Sequence, residues 1–247
     1  MKYIIQLILI FGLIFPVHAQ IPDGDYILQR IDQNQVFDEA ISTSTMIVHS
    51  RTGDRTIQSK AWSQGNDTAF VEYMAPAREK GKKMLKLGNK LWIYTPEPND
   101  RIITISGHLL KQSVMGSDMS YEDLMESDKL RKNYDAKVIG KETYNNRYCW
   151  VLELTASHDD VAYYSRKVWV DASRWLPLKE ERYARSGRLL KKTEILDVFH
   201  QDGRWLPKRM IFKDMLSRGN GTEYIIDSID FNVSIPDYRF TKAALRK

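Results

Sequence analysis

From Thr43 onward the chain is cut into short stretches rich in Val, Ile, Thr, Tyr and Trp, each stopped by a cluster of turn residues. Thr43–His49 ends at Arg51-Thr-Gly-Asp54, Arg55–Ser63 at Gln64-Gly-Asn-Asp67, and Thr68–Met74 at Ala75-Pro76-Ala77. Lys83–Leu87 ends at Gly88-Asn89, Lys90–Thr95 at Pro96-Glu-Pro-Asn-Asp100, and Arg101–Ile105 closes the first half. The second half repeats the texture with Ala136–Glu142, Arg147–Ala156, Ala162–Val170, Pro177–Ala184, Leu189–His200, Leu206–Met215 and Thr222–Val233. Gly and Asn in the connecting turns accept positive φ, which is hairpin chemistry. Strands at this spacing, joined this tightly, predict an antiparallel meander of about a dozen strands.

Two helical elements interrupt the pattern. Asp25 to Gln35 places Ile27, Leu28 and Ile31 on one stripe, the spacing of a short amphipathic helix. Leu109–Met115 reads as one or two helical turns, and Ser120-Tyr-Glu-Asp123 matches an acidic capping box opening a clearer helix through Leu124 and Met125. Many strands are apolar on both faces: Leu91 and Ile93 oppose Trp92 and Tyr94, and Trp150 and Leu152 oppose Cys149 and Val151. A sheet with one wet face alternates polar with apolar, so these strands need a second layer. A curved sheet wrapped around the two helical elements supplies it and leaves an apolar space between them. No low-complexity linker divides the chain, which predicts one domain. Asp171-x-x-x-Trp175-Leu-Pro is echoed by Asp202-Gly-Arg-Trp205-Leu-Pro, each a turn feeding a strand.

The first residues have a separate logic. Lys2 precedes an apolar run, Tyr3 to Phe15, then Pro16 and Val17-His18-Ala19. This is a secretory signal with cleavage expected between Ala19 and Gln20; the run is shorter than the roughly 20 residues a spanning helix needs. The expected mature chain, residues 20–247, works in the periplasm. The 37 basic and 32 acidic residues are scattered, a diffuse basicity that suits anionic surfaces such as lipid headgroups better than nucleic acid. Cys149 is the sole cysteine, so no internal disulfide is available, and its apolar setting reads as a small buried hydrophobe.

Motifs for catalysis are missing. No two of His49, His108, His158 and His200 share a metal-ligand spacing on one element. There is no Gly-x-Ser-x-Gly elbow, phosphate loop or His-Glu-x-x-His. His158-Asp-Asp160 and Lys80-Gly-Lys-Lys83 read as solvated turns, and Glu122 and Asp123 suit a helix N-terminus. The expectation is a protein without catalytic residues, metal or cofactor.

The order Met115-Gly-Ser-Asp-Met-Ser-Tyr-Glu-Asp-Leu124, Tyr148-Cys-Trp-Val-Leu-Glu-Leu154, Lys167-Val-Trp-Val-Asp171, Trp175-Leu-Pro-Leu-Lys179, Asp202-Gly-x-Trp-Leu-Pro207 and Ile235-Pro-Asp-x-x-Phe240 resembles the outer-membrane lipoprotein-sorting proteins, the LolA-like group. The resemblance covers nearly the whole expected mature chain, and the Gly-Ser-Asp string is its most specific part. It implies an incomplete, half-open antiparallel β-barrel covered by helices and enclosing a hydrophobic cavity. It also implies a monomeric periplasmic carrier of the acyl chains of a lipoprotein or lipid, facing an inner-membrane exporter of ABC or RND type and an outer-membrane acceptor. Cavity residues are sought among Trp62, Trp92, Tyr94, Trp150, Trp169, Met210 and Phe212. The insert across the mouth would carry Met115, Asp118, Met119, Tyr121, Leu124 and Met125 as lid or gating residues. A periplasmic lipid-sensing adaptor that regulates a membrane protein or exporter is the second reading.

Overall fold

The computed structural model describes residues 21–35, 37–126 and 130–247; the expected export signal lies outside them. A helix, α1 (Gly24–Gln35), precedes strands β1 (Glu39–Ser50), β2 (Gly53–Gln64), β3 (Thr68–Ala75), β4 (Lys83–Leu87), β5 (Lys90–Thr95) and β6 (Arg101–Ile105). An insert follows: 3-10 turns at Gly107–Lys111 and Val114–Gly116, then α2 (Tyr121–Glu126) and α3 (Leu130–Asn133). Seven strands complete the sheet: β7 (Tyr134–Tyr144), β8 (Arg147–Ala156), β9 (Ser165–Asp171), β10 (Pro177–Tyr183), β11 (Leu189–Gln201), β12 (Arg204–Asp214) and β13 (Gly221–Asp230). Two 3-10 helices, Asp237–Phe240 and Lys242–Arg246, form the tail.

All thirteen strands join one antiparallel sheet in the order β6-β5-β4-β3-β2-β1-β13-β12-β11-β10-β9-β8-β7. The meander is therefore interrupted once. β1 pairs with β13 in the middle, with Ile47 opposite Glu223, and β6 and β7 are the two edges. The curved sheet is an unclosed barrel, and the insert carries the chain from one edge to the other. Turn chemistry sets the register: Asn145 and Asn146 at φ 48 and 58, and Asp202-Gly203 at φ 49 and 75, are successive left-handed pairs that suit two-residue hairpins.

The apolar doubling of the strands is borne out. Leu91 and Ile93 pack with the insert, together with Met46, Ile57 and Tyr73. On the other side Phe70 and Leu85, both fully buried, pack under Phe240, Ala244 and Leu245 of the tail with Trp62, Trp92 and Tyr94. Each such buried side chain contributes about 1.5–3 kcal/mol, so the short tail is a structural strap. In the second half Leu152, Leu154, Val168 and Val170 pack against Ile27, Leu28 and Ile31 of α1. Cys149, Val151 and Trp169 instead meet Leu178, Ile195 and Met210. Cys149 is buried, as its apolar setting predicts.

Some boundaries differ from the sequence reading. β9 starts at Ser165 rather than Ala162, and residues 109–115 form two 3-10 turns separated by an extended Gln112-Ser113. β13 stops at Asp230 because its carboxylate accepts the Asn232 N–H at 2.9 Å and turns the chain. Lys80–Lys83 is no solvated loop: Lys82 bonds the buried Glu79 carboxylate at 2.6 Å, and Lys83 is buried at the start of β4.

Candidate functional site

Register places Met210, Tyr224, Met46 and Ile57 in one row across β12, β13, β1 and β2. At this level the insert lies on the sheet through Val114, Met119, Tyr121 and Met125. Further along the same face the side chains shrink. Ser44 lies opposite Ser59, Ser42 opposite Ala61 and Ala40 opposite Ser63, with Val71 and Ala69 continuing the rows on β3. The hydroxyls satisfy each other: Ser44 and Ser59 are 2.9 Å apart, and the Tyr224 hydroxyl meets Ser44 at 2.8 Å. Ala61, Ser63 and Ala69 are only half-buried. At their end a cleft of ≈ 290 Å³ opens between Ser63, Ala69, Leu206, Pro207, Ile229 and Phe231, with Asn34, Phe37 and Arg204 at its rim. Its size is near the lower bound of about 300–1,000 Å³ for small-molecule sites, and its wall is mostly apolar.

Helix α1 frames this cleft, and the repeated Trp-Leu-Pro is how it is held. Tyr26 meets Trp175 edge-on at 5.9 Å, and the Arg30 guanidinium lies 5.4 Å from the same ring. One turn on, the Asn34 amide donates to the Trp205 carbonyl at 2.9 Å and its oxygen accepts the Trp205 N–H at 3.3 Å. The two echoes dock the two ends of one helix.

The Gly-Ser-Asp string pins the insert. Met115 adopts φ 51 and Gly116 φ 72, a sharp reversal that turns the Met115 carbonyl onto the Arg55 guanidinium of β2, which donates to it. The next residue but one, Asp118, is buried. It accepts from the Asp214 N–H at 2.9 Å, the Ser217 hydroxyl at 3.1 Å and the Thr222 hydroxyl at 2.8 Å. Its own carbonyl accepts from Lys191 at 2.7 Å. Asp123 closes the capping box, taking the Ser120 N–H at 2.7 Å while the Ser120 hydroxyl accepts the Asp123 N–H at 3.2 Å. Its second oxygen accepts from the Tyr163 hydroxyl at 2.6 Å and the Arg182 guanidinium at 2.7 Å. Arg182 and Arg166 both bond Glu180 at 2.8 Å.

Electrostatics keep this cluster ionised. Burial pushes the Glu180 carboxyl up, but the adjacent guanidiniums of Arg182 and Arg166 outweigh it and hold it at about 2. Burial likewise opposes ionisation of Asp123, and Arg182, the Ser120 N–H, Tyr163 and Lys191 bring it below the usual range. The Tyr163 hydroxyl, raised by burial and by Asp123, stays protonated as a donor. Both oxygens of Asp123 hold the insert, and Glu180 holds Arg182, which bonds Asp123, so the cluster is a fastening.

The residues singled out from sequence separate into groups. Met115, Asp118, Met119, Tyr121, Leu124 and Met125 all lie in the insert; Met119, Tyr121 and Met125 are buried on the sheet, with Met115 and Leu124 packed beside them. Met210 and Phe212 share a cluster with Trp169, and Phe212 also reaches the insert's cluster. Trp62, Trp92 and Tyr94 pack under the tail, and Trp150 beside α1. None of these seven lines the cleft. Sequence reading missed Arg55, Asn34, Leu206, Pro207 and Ile229; the Trp-Leu-Pro echo was the one signal that pointed to this end. His158 is exposed, and Asp159 beside it pairs with Arg185. Among the described residues no group of three or more His, Cys, Asp or Glu side chains is placed to hold a metal ion, and no helix is long and apolar enough to cross a membrane.

A family profile described as "Uncharacterized protein" matches residues 65–247. The chain belongs to that family. No curated protein matches it. Solved structures are more telling. An outer membrane lipoprotein-sorting protein domain from Vibrio parahaemolyticus superposes with a TM-score of 0.81 at 24% identity, covering 91% of this chain and 98% of that one. A DUF1329 family protein from Desulfovibrio piger gives 0.82 at 25% identity, over 89% and 96%. A LolA superfamily protein from Nitrosomonas europaea gives 0.74 at 25% identity, over 91% and 100%. The chain is LolA-like in fold, as its Gly-Ser-Asp string suggests.

Proposed function

We propose that this protein is an exported periplasmic carrier that shelters acyl chains of a lipoprotein or lipid between the two membranes without covalent chemistry. One observation carries the reading. The inner face of the sheet is filled by the insert at one end, and at the other its small side chains open into an apolar cleft under α1. Apolar walls take a chain by the hydrophobic effect, and the insert and α1 cover different ends of one curved sheet through side-chain contacts, so the space can grow without breaking strand pairing. The similarity to a lipoprotein-sorting domain and a LolA superfamily protein supports this class of cargo. On this reading residues 1–19 are removed after Ala19, residues 20–247 form one carrier domain, and an exporter and an outer-membrane acceptor are its partners.

The test is native mass spectrometry with lipid extraction on protein purified from the periplasm, alongside titration with a fluorescent fatty-acyl probe. The expected result is a stoichiometric acylated ligand, and probe uptake that falls at least about tenfold in Ala69→Trp, whose indole fills a cleft wall. An empty protein that also ignores the probe would sink the proposal and move the reading to a protein-binding adaptor.

A further inference from the structure

Two large apolar side chains stand side by side in water at the turn between β12 and β13. Met215 is 42% exposed and Leu216 55% exposed; elsewhere the exposed large hydrophobics of the described residues occur singly, as is ordinary on a protein surface. This turn is held rigidly. The Met215 N–H donates to the Leu190 carbonyl at 2.9 Å, and the Ser217 hydroxyl donates to Asp118 at 3.1 Å. Lys213 reaches across to the Ser217 and Gly219 carbonyls. Mounted this way, the pair does not fold back onto the sheet.

Its surroundings are cationic. Arg218 belongs to the same turn. Arg51 sits on the neighbouring β1–β2 turn, where Gly219 packs against the His49 carbonyl. Arg188 lies on the β10–β11 turn beside Leu190. Among the described residues these three arginines make no ion pair, whereas the nearby acids are engaged: Asp54 with His49 at 2.9 Å and Asp214 with Lys191 at 2.9 Å. An apolar tip ringed by uncompensated guanidiniums matches one surface chemically, a bilayer whose phosphate headgroups are anionic and whose hydrocarbon begins a few ångströms beneath.

We infer that the β12–β13 turn is a membrane-contacting tip, with Met215 and Leu216 entering the headgroup layer of an anionic bilayer and Arg51, Arg188 and Arg218 pairing with its phosphates. This goes beyond the carrier reading and needs no cargo. It also gives the pinned insert a position, because Ser217 of the tip is bonded to Asp118.

The single cysteine makes the test clean. Cys149 is buried and its thiol is pushed up by burial to about 11, so an added surface cysteine takes label selectively. Leu216→Cys is labelled with an environment-sensitive fluorophore and mixed with vesicles of phosphatidylglycerol and phosphatidylcholine, or of phosphatidylcholine alone. Tyr148→Cys, 78% exposed at the opposite end of the sheet, is the control. The expected result is a blue shift at position 216 with the anionic vesicles only, and none at 148. Replacing Arg51, Arg188 or Arg218 by Gln should each weaken vesicle binding about fivefold. No shift at 216, or an equal shift at 148, overturns the tip; an equal shift on phosphatidylcholine alone overturns the recognition of charge. None of these readouts depends on acyl-chain uptake, so failure here and failure of the carrier reading are separable.

Discussion

Asp118 shows how one side chain converts a loop into a fixture. Three donors converge on its carboxylate from β12, the following turn and β13. Asp118→Ala takes this acceptor from the buried Thr222 hydroxyl and the half-buried Asp214 N–H, while the exposed Ser217 hydroxyl keeps the Asp214 carbonyl, so the expected loss is about 2 kcal/mol, read as a lower urea midpoint at unchanged slope. Glu180 makes a prediction in pH. Its carboxyl lies at about 2 when folded against 4.5 otherwise. A depressed pKa contributes stability in full above the unfolded value and loses it as pH falls through the folded value. The window is therefore about pH 4.5 down to 2. Glu180→Gln leaves Arg166 and Arg182 around a neutral group, which costs about 3–5 kcal/mol near neutrality. The fall in stability across that window should be shallower in the variant than in the parent. Parallel curves in urea titrations at several pH values would show that Glu180 does not carry this linkage.

The insert is the element on which function turns. Its grip on β2 is one guanidinium on the Met115 carbonyl, at a reversal that Gly116 and Met115 make through positive φ. Arg55→Ala removes that grip while leaving Asp118 and Asp123 fastened. Amide exchange across residues 107–126 should speed up about tenfold, the worth of one charged hydrogen bond, while β8 and β9 stay unchanged. Much at this scale was legible beforehand. β4, β5, β6 and β8 were readable to the residue, because Gly, Pro, Asn and Asp turn clusters lie beside short apolar runs in each. The capping box at Ser120 and Asp123 was equally plain, since its chemistry lies within four residues. What was hidden depends on distant partners. Alternation puts Trp92 and Tyr94 on one side of β5 but does not tell that side from the one holding Leu91 and Ile93. Only the tail packing on one side and the insert on the other decides it. The largest aromatics drew attention as cavity residues, yet Trp62 and Trp92 fill the layer under the tail. The cleft is instead bounded in large part by small and ordinary side chains such as Ser63, Thr68 and Ala69, which carry no signal in sequence.

At the scale of the molecule the design is one sheet with two covers, joined to each other where Arg131 of α3 pairs with Asp25 of α1 at 3.2 Å. The insert spans the sheet's edges and is tied to β2, β10, β11 and β12, whereas α1 is held by the two Trp-Leu-Pro turns and by packing on β7, β8 and β9. A ligand entering under α1 and spreading along the inner face meets the insert through Val71, Tyr73 and the Met46–Ile57 row. If the cleft takes acyl chains, binding and the insert's fastening are thermodynamically linked, and the linkage is reciprocal. A ligand at one hundred times its dissociation constant adds about 2.7 kcal/mol to unfolding stability. A fatty-acyl ligand should therefore raise Tm by several degrees in the parent protein. In Ala69→Trp the unliganded Tm should stay close to the parent's, because Ala69 is half-buried beside open space, while the ligand-dependent rise disappears. Arg55→Ala gives the other side of the linkage. If the ligand favours a displaced insert, loosening that grip must raise acyl affinity, and ligand must speed amide exchange in residues 107–126. If it favours the fastened insert, both changes reverse sign together. Measuring the two changes, one by probe titration and one by exchange, checks the coupling directly, and a change in only one of them, or in neither, would show that cleft and insert act independently.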